Sequence, residues 1–295
     1  MPSKTVCVFV HMPKAGGSTL QDVIQRQYPP AATLDIDGES VASVQSSVDR
    51  LRQMPEEDRK RIACVKGHVP FGIHRWLPGT PRYVTMLREP IQRIVSDYFF
   101  ASNTTDHILF ERMRRDRLSL KDFVLLRDEE GLSDIYCRIL SETVNWDSLA
   151  DSPRTLPADA LATAKENLER CFAVVGITER FDESLLLLQG AFGWKDVHYE
   201  RVNVTRDKPP EVRLTGEELN AIRLYNSRDI ELYAFAGQLM DARIAEGGAG
   251  FEARVRRFGQ QNERYQRWRR LRRAVPQWLR KGKAMLLAPR QHERG

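Results

Sequence analysis

The residues best suited to bind an anion lie near the start of the chain, in the stretch HMPKAGGSTL at residues 11–20. An apolar, strand-like run ends there, and helix-like spacing begins directly after the glycines. A glycine turn between a strand and a helix binds phosphate or sulfate, because the first N–H groups of the helix and the positive end of its dipole attract an anion. The lysine adds a compact cation, and the two hydroxyl residues add hydrogen-bond donors. The candidate binding residues are Lys14, Ala15, Gly16, Gly17, Ser18 and Thr19.

The position of the lysine separates this loop from a Walker A loop. Here the lysine precedes the glycines, whereas a Walker lysine follows them and stands beside the hydroxyl that binds magnesium. The chain also shows no clear Walker B pattern. A P-loop kinase-like nucleotide enzyme is therefore the weaker alternative, and we expect no metal ion to take part. For the loop taken alone, a glycine turn that binds nothing is a further alternative.

A second candidate anion site follows some seventy residues later, in YVTMLREPIQRIVSDYFF at residues 83–100. Arg88 stands at the end of a predicted strand, and Ser96 lies two turns into a helix that begins at Pro90. An arginine fork and a helix hydroxyl can hold a separate phosphate. The alternative is a surface salt bridge for the arginine and a helix contact for the serine.

The two stretches together closely resemble the nucleotide-binding motifs of sulfotransferases that use 3′-phosphoadenosine-5′-phosphosulfate (PAPS). Within that group they are most similar to the carbohydrate branch typified by heparan sulfate 2-O- and 6-O-sulfotransferases and their bacterial relatives. The resemblance covers about residues 5–240. It implies that residues 14–19 bind the 5′-phosphosulfate and that Arg88 and Ser96 bind the 3′-phosphate, with 3′-phosphoadenosine-5′-phosphate (PAP) as the product.

A histidine segment agrees with this resemblance. KGHVPFGIH at residues 66–74 resembles the family's segment with the catalytic histidine and has His68 in the matching place. His74, at the other end of the segment, is the alternative base. We expect His11 to cap its strand or to hydrogen-bond the backbone of the loop. In the loop itself, Ala15 stands where the family often has threonine, so one hydroxyl contact is missing while the backbone cradle should persist.

The resemblance implies in-line transfer of a sulfuryl group from PAPS to a hydroxyl of a saccharide or glycolipid. Lys14 would neutralise charge on the bridging oxygen as the phosphate leaves, and His68 would act as general base. An inactive module that binds a nucleotide or a glycan is the alternative from a different class of protein. The retained Lys14 and His68 argue against that alternative.

The elements that must position these residues alternate between strand and helix, which is typical of an α/β fold. We predict a P-loop-like three-layer fold, with a central, mostly parallel sheet flanked by helices. The sulfotransferase domain is expected over residues 1–245, with a helical insertion at about 105–170 and a basic helical tail over 246–295. The predicted strands are 5–11, 62–66, 82–87 and 171–177, and the predicted helical stretches are 18–27, 89–100, 182–193 and 215–244.

Charge is distributed unevenly along the chain. The formal net charge is +6, yet residues 251–295 hold 14 arginines and lysines against three acidic residues. This tail is expected to be a solvated helix or a patch for anionic glycans or lipid headgroups, since Trp268 and Trp278 suit a membrane interface. Nucleic-acid binding is disfavoured because no recognition fold accompanies the charge.

The cysteines and the apolar segments of the chain indicate whether to expect a zinc site and a membrane segment. The four cysteines are scattered without a Cys/His cluster, so no zinc site is expected. No stretch approaches the length of a transmembrane helix, and the start of the chain has no signal-peptide pattern. A cytoplasmic location is therefore expected, and peripheral binding at the inner membrane face is the alternative. RVNVTRDKPP at residues 201–210 is either a polar surface loop or a loop over the nucleotide.

Overall fold

The structure, a computed structural model, describes residues 4–36, 38, 40–105, 107, 109–200 and 212–274. Within them, parallel strands form one sheet in the order β2-β3-β1-β4-β5. The strands are β1 Thr5–Val10, β2 Thr33–Ile36, β3 Cys64–Gly67, β4 Thr80–Leu87 and β5 Phe172–Ile177. The continuous apolar runs of β1 and β5 are typical of strands covered on both faces. The predicted α/β fold with a central parallel sheet is confirmed.

Helices cover both faces of this sheet. The helices are α1 Gly17–Gln25, α2 Val41–Gln53, α3 Glu56–Arg59, α4 Pro90–Asn103, α5 Phe110–Arg115, α6 Leu120–Glu129, α7 Ile135–Leu140, α8 Ala160–Cys171, α9 Phe181–Phe192, α10 Gly216–Tyr225, α11 Ser227–Glu246 and α12 Phe251–Ala274. Alternate residues of β1 point to opposite faces, as the strand period requires. Val6 and Val8 pack in the cluster that contains α2, α7, α8 and α11, whereas Cys7 and Phe9 pack with α1, α9 and α12.

The region between β4 and β5 is helical, as the sequence predicts, and it divides into two parts. Helices α5 and α6 form a separate apolar cluster with α4 and α10. Helices α7 and α8 pack directly on the sheet. The helical stretch at 215–244 is broken at Asn226, whose buried side chain donates to the Ile222 carbonyl at 3.1 Å and accepts from Arg93.

The described part of the basic tail is the helix α12, and its first half packs against the body of the protein. Phe251 and Phe258 are buried in the cluster that contains α9. The buried amide of Asn262 accepts the backbone N–H of Tyr199 at 2.8 Å. Its second half is more exposed, with Trp268 49% exposed. None of the helices in the described ranges is both long enough and apolar enough to span a bilayer.

Candidate active site

The candidate residues meet at the carboxyl ends of three neighbouring strands. His68 follows β3, the loop with Lys14 follows β1, and Arg88 follows β4. These strands are adjacent in the sheet, with β1 in the middle. Open parallel sheets bind their ligands at this edge, where the chain connections diverge to either side. The sequence order therefore brings the two predicted anion sites and the predicted base to one place.

The loop after β1 has the backbone of an anion cradle. Lys14 and Gly16 have positive φ angles of 59° and 75°, which turn the chain sharply between strand and helix. Among the described residues, no side chain caps α1 at Gly16, and the first turn of α1 contains no acidic residue. The N–H groups of Thr19 and Leu20 bond the Gly16 carbonyl at 3.2 and 3.3 Å, which begins the helix at this turn. The positive end of the helix dipole then favours an anion at the loop.

The start of α4 differs from the start of α1, because the side chain of Glu89 already accepts the first N–H groups of the helix. The carboxylate of Glu89 accepts the backbone N–H groups of Ile91 at 3.1 Å and Gln92 at 2.8 Å. A second anion would find these donors taken. Binding beside α4 must therefore rely on side chains such as Arg88 and Ser96, as the sequence predicts.

Thr178, the residue that follows β5, anchors the loop. The hydroxyl of Thr178 lies 2.8 Å from the Ala15 carbonyl oxygen and 3.0 Å from the Leu87 carbonyl oxygen. The methyl group of Ala15 is 1% exposed and lies in the apolar core. Its side chain therefore does not face an anion, and only its backbone can take part in the cradle.

Arg88 and Lys14 are in direct contact. The Arg88 guanidinium donates to the Lys14 carbonyl at 3.2 Å, which joins the two predicted anion sites. The Lys14 ammonium lies 3.7 Å from the centre of the Phe100 ring. Ser96 is buried one helical turn before Phe100, so it shares the face of α4 that meets the loop.

The charge state of Lys14 reflects this crowded position. Burial lowers the pKa of Lys14, Asp97 opposes that shift, and the Arg88 guanidinium adds to it. Asp97 is itself buried on α4 and lies 3.5 Å from Arg127. The ammonium therefore has one carboxylate near it that helps to keep it protonated.

Two imidazole rings stack beside the loop. The ring centroids of His11 and His68 are 4.2 Å apart, with an interplanar angle of 20°. The stack is enclosed by glycines: a Cβ atom at Gly17 would lie 1.9 Å from the His11 ring, and one at Gly38 would lie 2.2 Å from the His68 ring. The stack therefore requires glycine at both positions.

The expected role of His11, as a strand cap or a hydrogen-bond partner of the loop backbone, stays a prediction. Within the described part of the chain, its Nδ1 has no hydrogen-bond partner, so its side chain does not bond the loop through that atom. Burial, the neighbouring His68 and the cation of Lys66 lower the pKa of His11 to about 3. His11 is therefore a neutral ring at physiological pH, and it supports the ring of His68.

The environment of His68 favours a neutral imidazole. Burial lowers the pKa of His68, and a hydrogen bond to the backbone of His11 opposes that shift. A neutral ring at pH 7 can accept a proton, which is what a general base requires. This fits the predicted role, although that role itself stays a prediction.

The alternative base, His74, is held elsewhere. Its Nδ1 lies 2.9 Å from the Tyr83 hydroxyl, which also accepts the backbone N–H of His74 at 3.1 Å. Tyr83 pairs with Val8 and Phe172 in the sheet, well before the carboxyl end of β4. His74 therefore supports the core beneath the site.

Three residues on or after α4 belong to the site and were missed by the sequence analysis. Phe100 contacts Lys14, Asp97 influences its charge, and the ring of His107 lies 5.5 Å from the Phe100 ring. Nδ1 of His107 accepts the backbone N–H of Leu109 at 3.1 Å, so its Nε2 carries the proton of the neutral ring. The spacing of Asp97 and Phe100 from Arg93 could have indicated a shared helix face.

Some predictions lie outside the described residues. These are the loop at 201–210, with its alternative of covering the nucleotide, and the tail from residue 275 onward, which includes Trp278. Among the residues that are described, no three His, Cys, Asp or Glu side chains cluster as metal ligands would. The expectation that no metal takes part stays a prediction.

Comparison with known proteins identifies a family. The galactose-3-O-sulfotransferase family profile matches residues 2–275. Mouse galactosylceramide sulfotransferase is 30% identical over 161 residues, which are 51% of this chain and 36% of that protein. Mouse galactose-3-O-sulfotransferase 3 is 28% identical over a match that covers 60% of this chain and 41% of the mouse protein. Bovine galactose-3-O-sulfotransferase 3 is 29% identical over 65% of this chain and 45% of the bovine protein. The chain thus spans less than half the length of these relatives.

Proposed function

Because the chain belongs to the galactose-3-O-sulfotransferase family, as the match over residues 2–275 shows, we propose that it transfers a sulfuryl group from PAPS to a hydroxyl of a galactose-containing saccharide or glycolipid. The membership confirms the predicted carbohydrate branch of the PAPS-dependent sulfotransferases. The galactose acceptor is taken from the names of the relatives. The observation that carries the proposal is the contact between Arg88 and Lys14 beside the uncapped start of α1.

The residues present fit a nucleotide that carries an anion at each end. The start of α1 and the loop at 14–19 would hold the 5′-phosphosulfate. Arg88, with Ser96 on the adjoining helix face, would hold the 3′-phosphate. When bound, PAPS supplies the sulfuryl group, which passes to the acceptor oxygen as the bond to the phosphate oxygen breaks.

Two side chains would act in the chemical step, one on the negative charge of the leaving group and one on the proton of the acceptor hydroxyl. Lys14 lies at the turn before α1, where its ammonium can balance negative charge that develops on the departing phosphate oxygen. His68 would take the proton of the acceptor hydroxyl on its neutral ring. Positioning of the two substrates would account for most of the remaining rate enhancement, as in phosphoryl transfer.

A transfer assay tests the proposal. The full chain is incubated with radiolabelled PAPS and either a β-galactoside or galactosylceramide in mixed micelles. We expect label on both galactose acceptors. Matched controls are the corresponding glucosides and a galactoside methylated at O3, which we expect to stay unlabelled.

Three results, from this assay or from parallel measurements of ATP turnover and PAP binding, would contradict the proposal. Magnesium-dependent turnover of ATP without sulfate transfer would support the kinase-like alternative. Binding of PAP without transfer to any saccharide or glycolipid would support an inactive binding module. Labelling of the glucosides alone would reject galactose as the acceptor.

We also propose that the second half of α12 binds an anionic membrane surface, which would bring a glycolipid acceptor near. Exposed arginines there include Arg264, Arg267 and Arg270, and Trp268 and Leu271 are exposed beside them. Arginines attract anionic lipid headgroups, and a tryptophan sits well at the membrane interface. Peripheral binding at the inner membrane face stays a prediction, as does the cytoplasmic location.

Flotation with lipid vesicles tests this surface. Replacing Arg264, Arg267 and Arg270 by glutamine is expected to reduce binding to phosphatidylserine vesicles by at least tenfold, because each basic residue contributes about 1 kcal/mol near such a surface. The matched control replaces three exposed arginines elsewhere, Arg50, Arg170 and Arg223, and should bind like the wild type. Equal binding by both triple variants would reject α12 as the membrane contact.

A further inference from the structure

The hydroxyl of Tyr136 holds the backbone of Arg88 at both of its polar groups. It accepts the Arg88 backbone N–H at 3.1 Å and donates to the Arg88 carbonyl at 2.9 Å. Tyr136 is 0% exposed, so these bonds form away from water. A hydroxyl has one proton to donate and two lone pairs, and this arrangement uses the proton and one lone pair on a single residue. The point at which β4 ends is therefore fixed by a side chain from α7.

The position of Tyr136 is in turn fixed by α11. The Asp229 carboxylate accepts the backbone N–H of Tyr136 at 3.1 Å and that of Cys137 at 3.0 Å. In return, the Asp134 carboxylate accepts the backbone N–H of Asp229 at 3.0 Å. The first turns of α7 and α11 thus cap each other, which satisfies N–H groups that a helix start leaves unpaired.

Arg93 connects this arrangement back to α4, the helix that follows Arg88. Its guanidinium is fully buried, bonds the Asn226 side chain at 3.1 Å and lies 3.8 Å from the Asp229 carboxylate. It also lies 5.2 Å from the centre of the Tyr136 ring. Burial raises the pKa of Asp229 to about 6, and the guanidinium of Arg93 opposes that shift.

We propose that Tyr136 is a positioning residue that holds Arg88 in the geometry needed to bind the 3′-phosphate of the nucleotide. This inference rests on the proposed function, because it assumes that Arg88 contacts that phosphate. Arg88 is only half-buried and has a long side chain, so its direction depends on where its backbone is fixed. The fork of an arginine binds phosphate in a defined geometry, and small displacements weaken such contacts.

The test compares two nucleotides that differ only in the 3′-phosphate. The binding constants of PAP and of adenosine 5′-monophosphate are measured by calorimetry for the wild type and for Tyr136→Phe, which keeps the buried ring. We expect PAP to bind about tenfold more weakly to Tyr136→Phe, while the monophosphate binds within twofold of the wild type. In the transfer assay, KM for PAPS should rise by a similar factor while kcat changes little.

Two further variants separate this role from a structural one. Tyr98→Phe removes another tyrosine hydroxyl, one that donates to the Leu118 carbonyl at 3.2 Å, and should leave both affinities unchanged. Arg88→Ala should abolish the preference for PAP. In the Arg88→Ala background, Tyr136→Phe should cost no further PAP affinity, because its effect passes through Arg88.

The outcomes distinguish failure of the inference from failure of the proposed function. If the wild type binds both nucleotides equally, or if Arg88→Ala keeps the preference for PAP, the assignment of Arg88 to the 3′-phosphate is wrong. If Arg88→Ala loses the preference but Tyr136→Phe keeps it, Tyr136 does not position Arg88. If Tyr136→Phe weakens both nucleotides equally, its hydroxyl has only a general structural role, which also overturns the inference.

Discussion

Replacing Lys14 by methionine is expected to lower kcat for sulfuryl transfer by about 10²–10³-fold, the usual cost of removing one group that stabilises charge in a transition state. The methionine chain can still lie against Phe100, which the ammonium contacts at 3.7 Å, so packing is largely kept. Both residues also carry the same strain at the positive φ angle of this position. The change therefore isolates the charge, and the measurement is single-turnover transfer at saturating PAPS and acceptor.

The effect of Lys14→Met on binding should be smaller than its effect on rate. Charge on the departing oxygen develops only as the reaction proceeds, so the affinity for PAP should fall by no more than about tenfold. Lys14→Arg is the control that keeps a cation at this position, and it should recover part of the rate. A kcat for Lys14→Met within threefold of the wild type would remove Lys14 from the chemical step.

Replacing His68 by alanine is expected to lower kcat by about 10²–10⁴-fold while PAP binds nearly as tightly as before, because a general base acts on the acceptor and contributes only to the chemical step. The control is His74→Asn, which can keep a contact with the Tyr83 hydroxyl in the core and should retain most of the activity. The reverse pattern, with loss in His74→Asn and activity in His68→Ala, would identify His74 as the base.

The pH dependence gives a second check on His68. Burial lowers its pKa below the usual value of 6.5, so the ring of the folded protein stays neutral to a lower pH than a free imidazole does. The midpoint of the fall in kcat/KM at acidic pH should therefore lie below pH 6.5. His11 stacks on this ring, and Lys66 lies near His11. Because the pKa of His11 is lowered to about 3, His11 adds no charge in that range. A midpoint above pH 6.5 would assign the acid limb to another group.

The sequence predicts most of the sheet because its central strands are buried on both faces and appear as continuous apolar runs. β2 escaped prediction since it has only four residues and includes the exposed Asp35. It lies at the edge of the sheet, where one side needs no partner. The break at Asn226 also could not be predicted, because its bonds come from Arg93, 133 residues earlier in the chain.

For the site, local patterns identify the anion loop and the second motif, but they do not identify what surrounds them. The contact between Arg88 and Lys14 joins residues 74 positions apart and follows from the adjacency of β1 and β4. The stack of His11 on His68 needs β1 and β3 to be neighbours, which the sequence does not state. Residues whose contacts depend on such adjacency were missed, as Phe100 was.

The two glycines that enclose the imidazole stack have a consequence for how this protein tolerates variation. Gly17 and Gly38 leave no room for a methyl group against His11 and His68. An alanine at Gly38, which lies outside the nucleotide loop, would displace the ring of His68, so the altered enzyme is expected to fold and bind nucleotide and yet turn over slowly. In a collection of natural or random variants, Gly38 should therefore behave like a catalytic residue although it has no side chain.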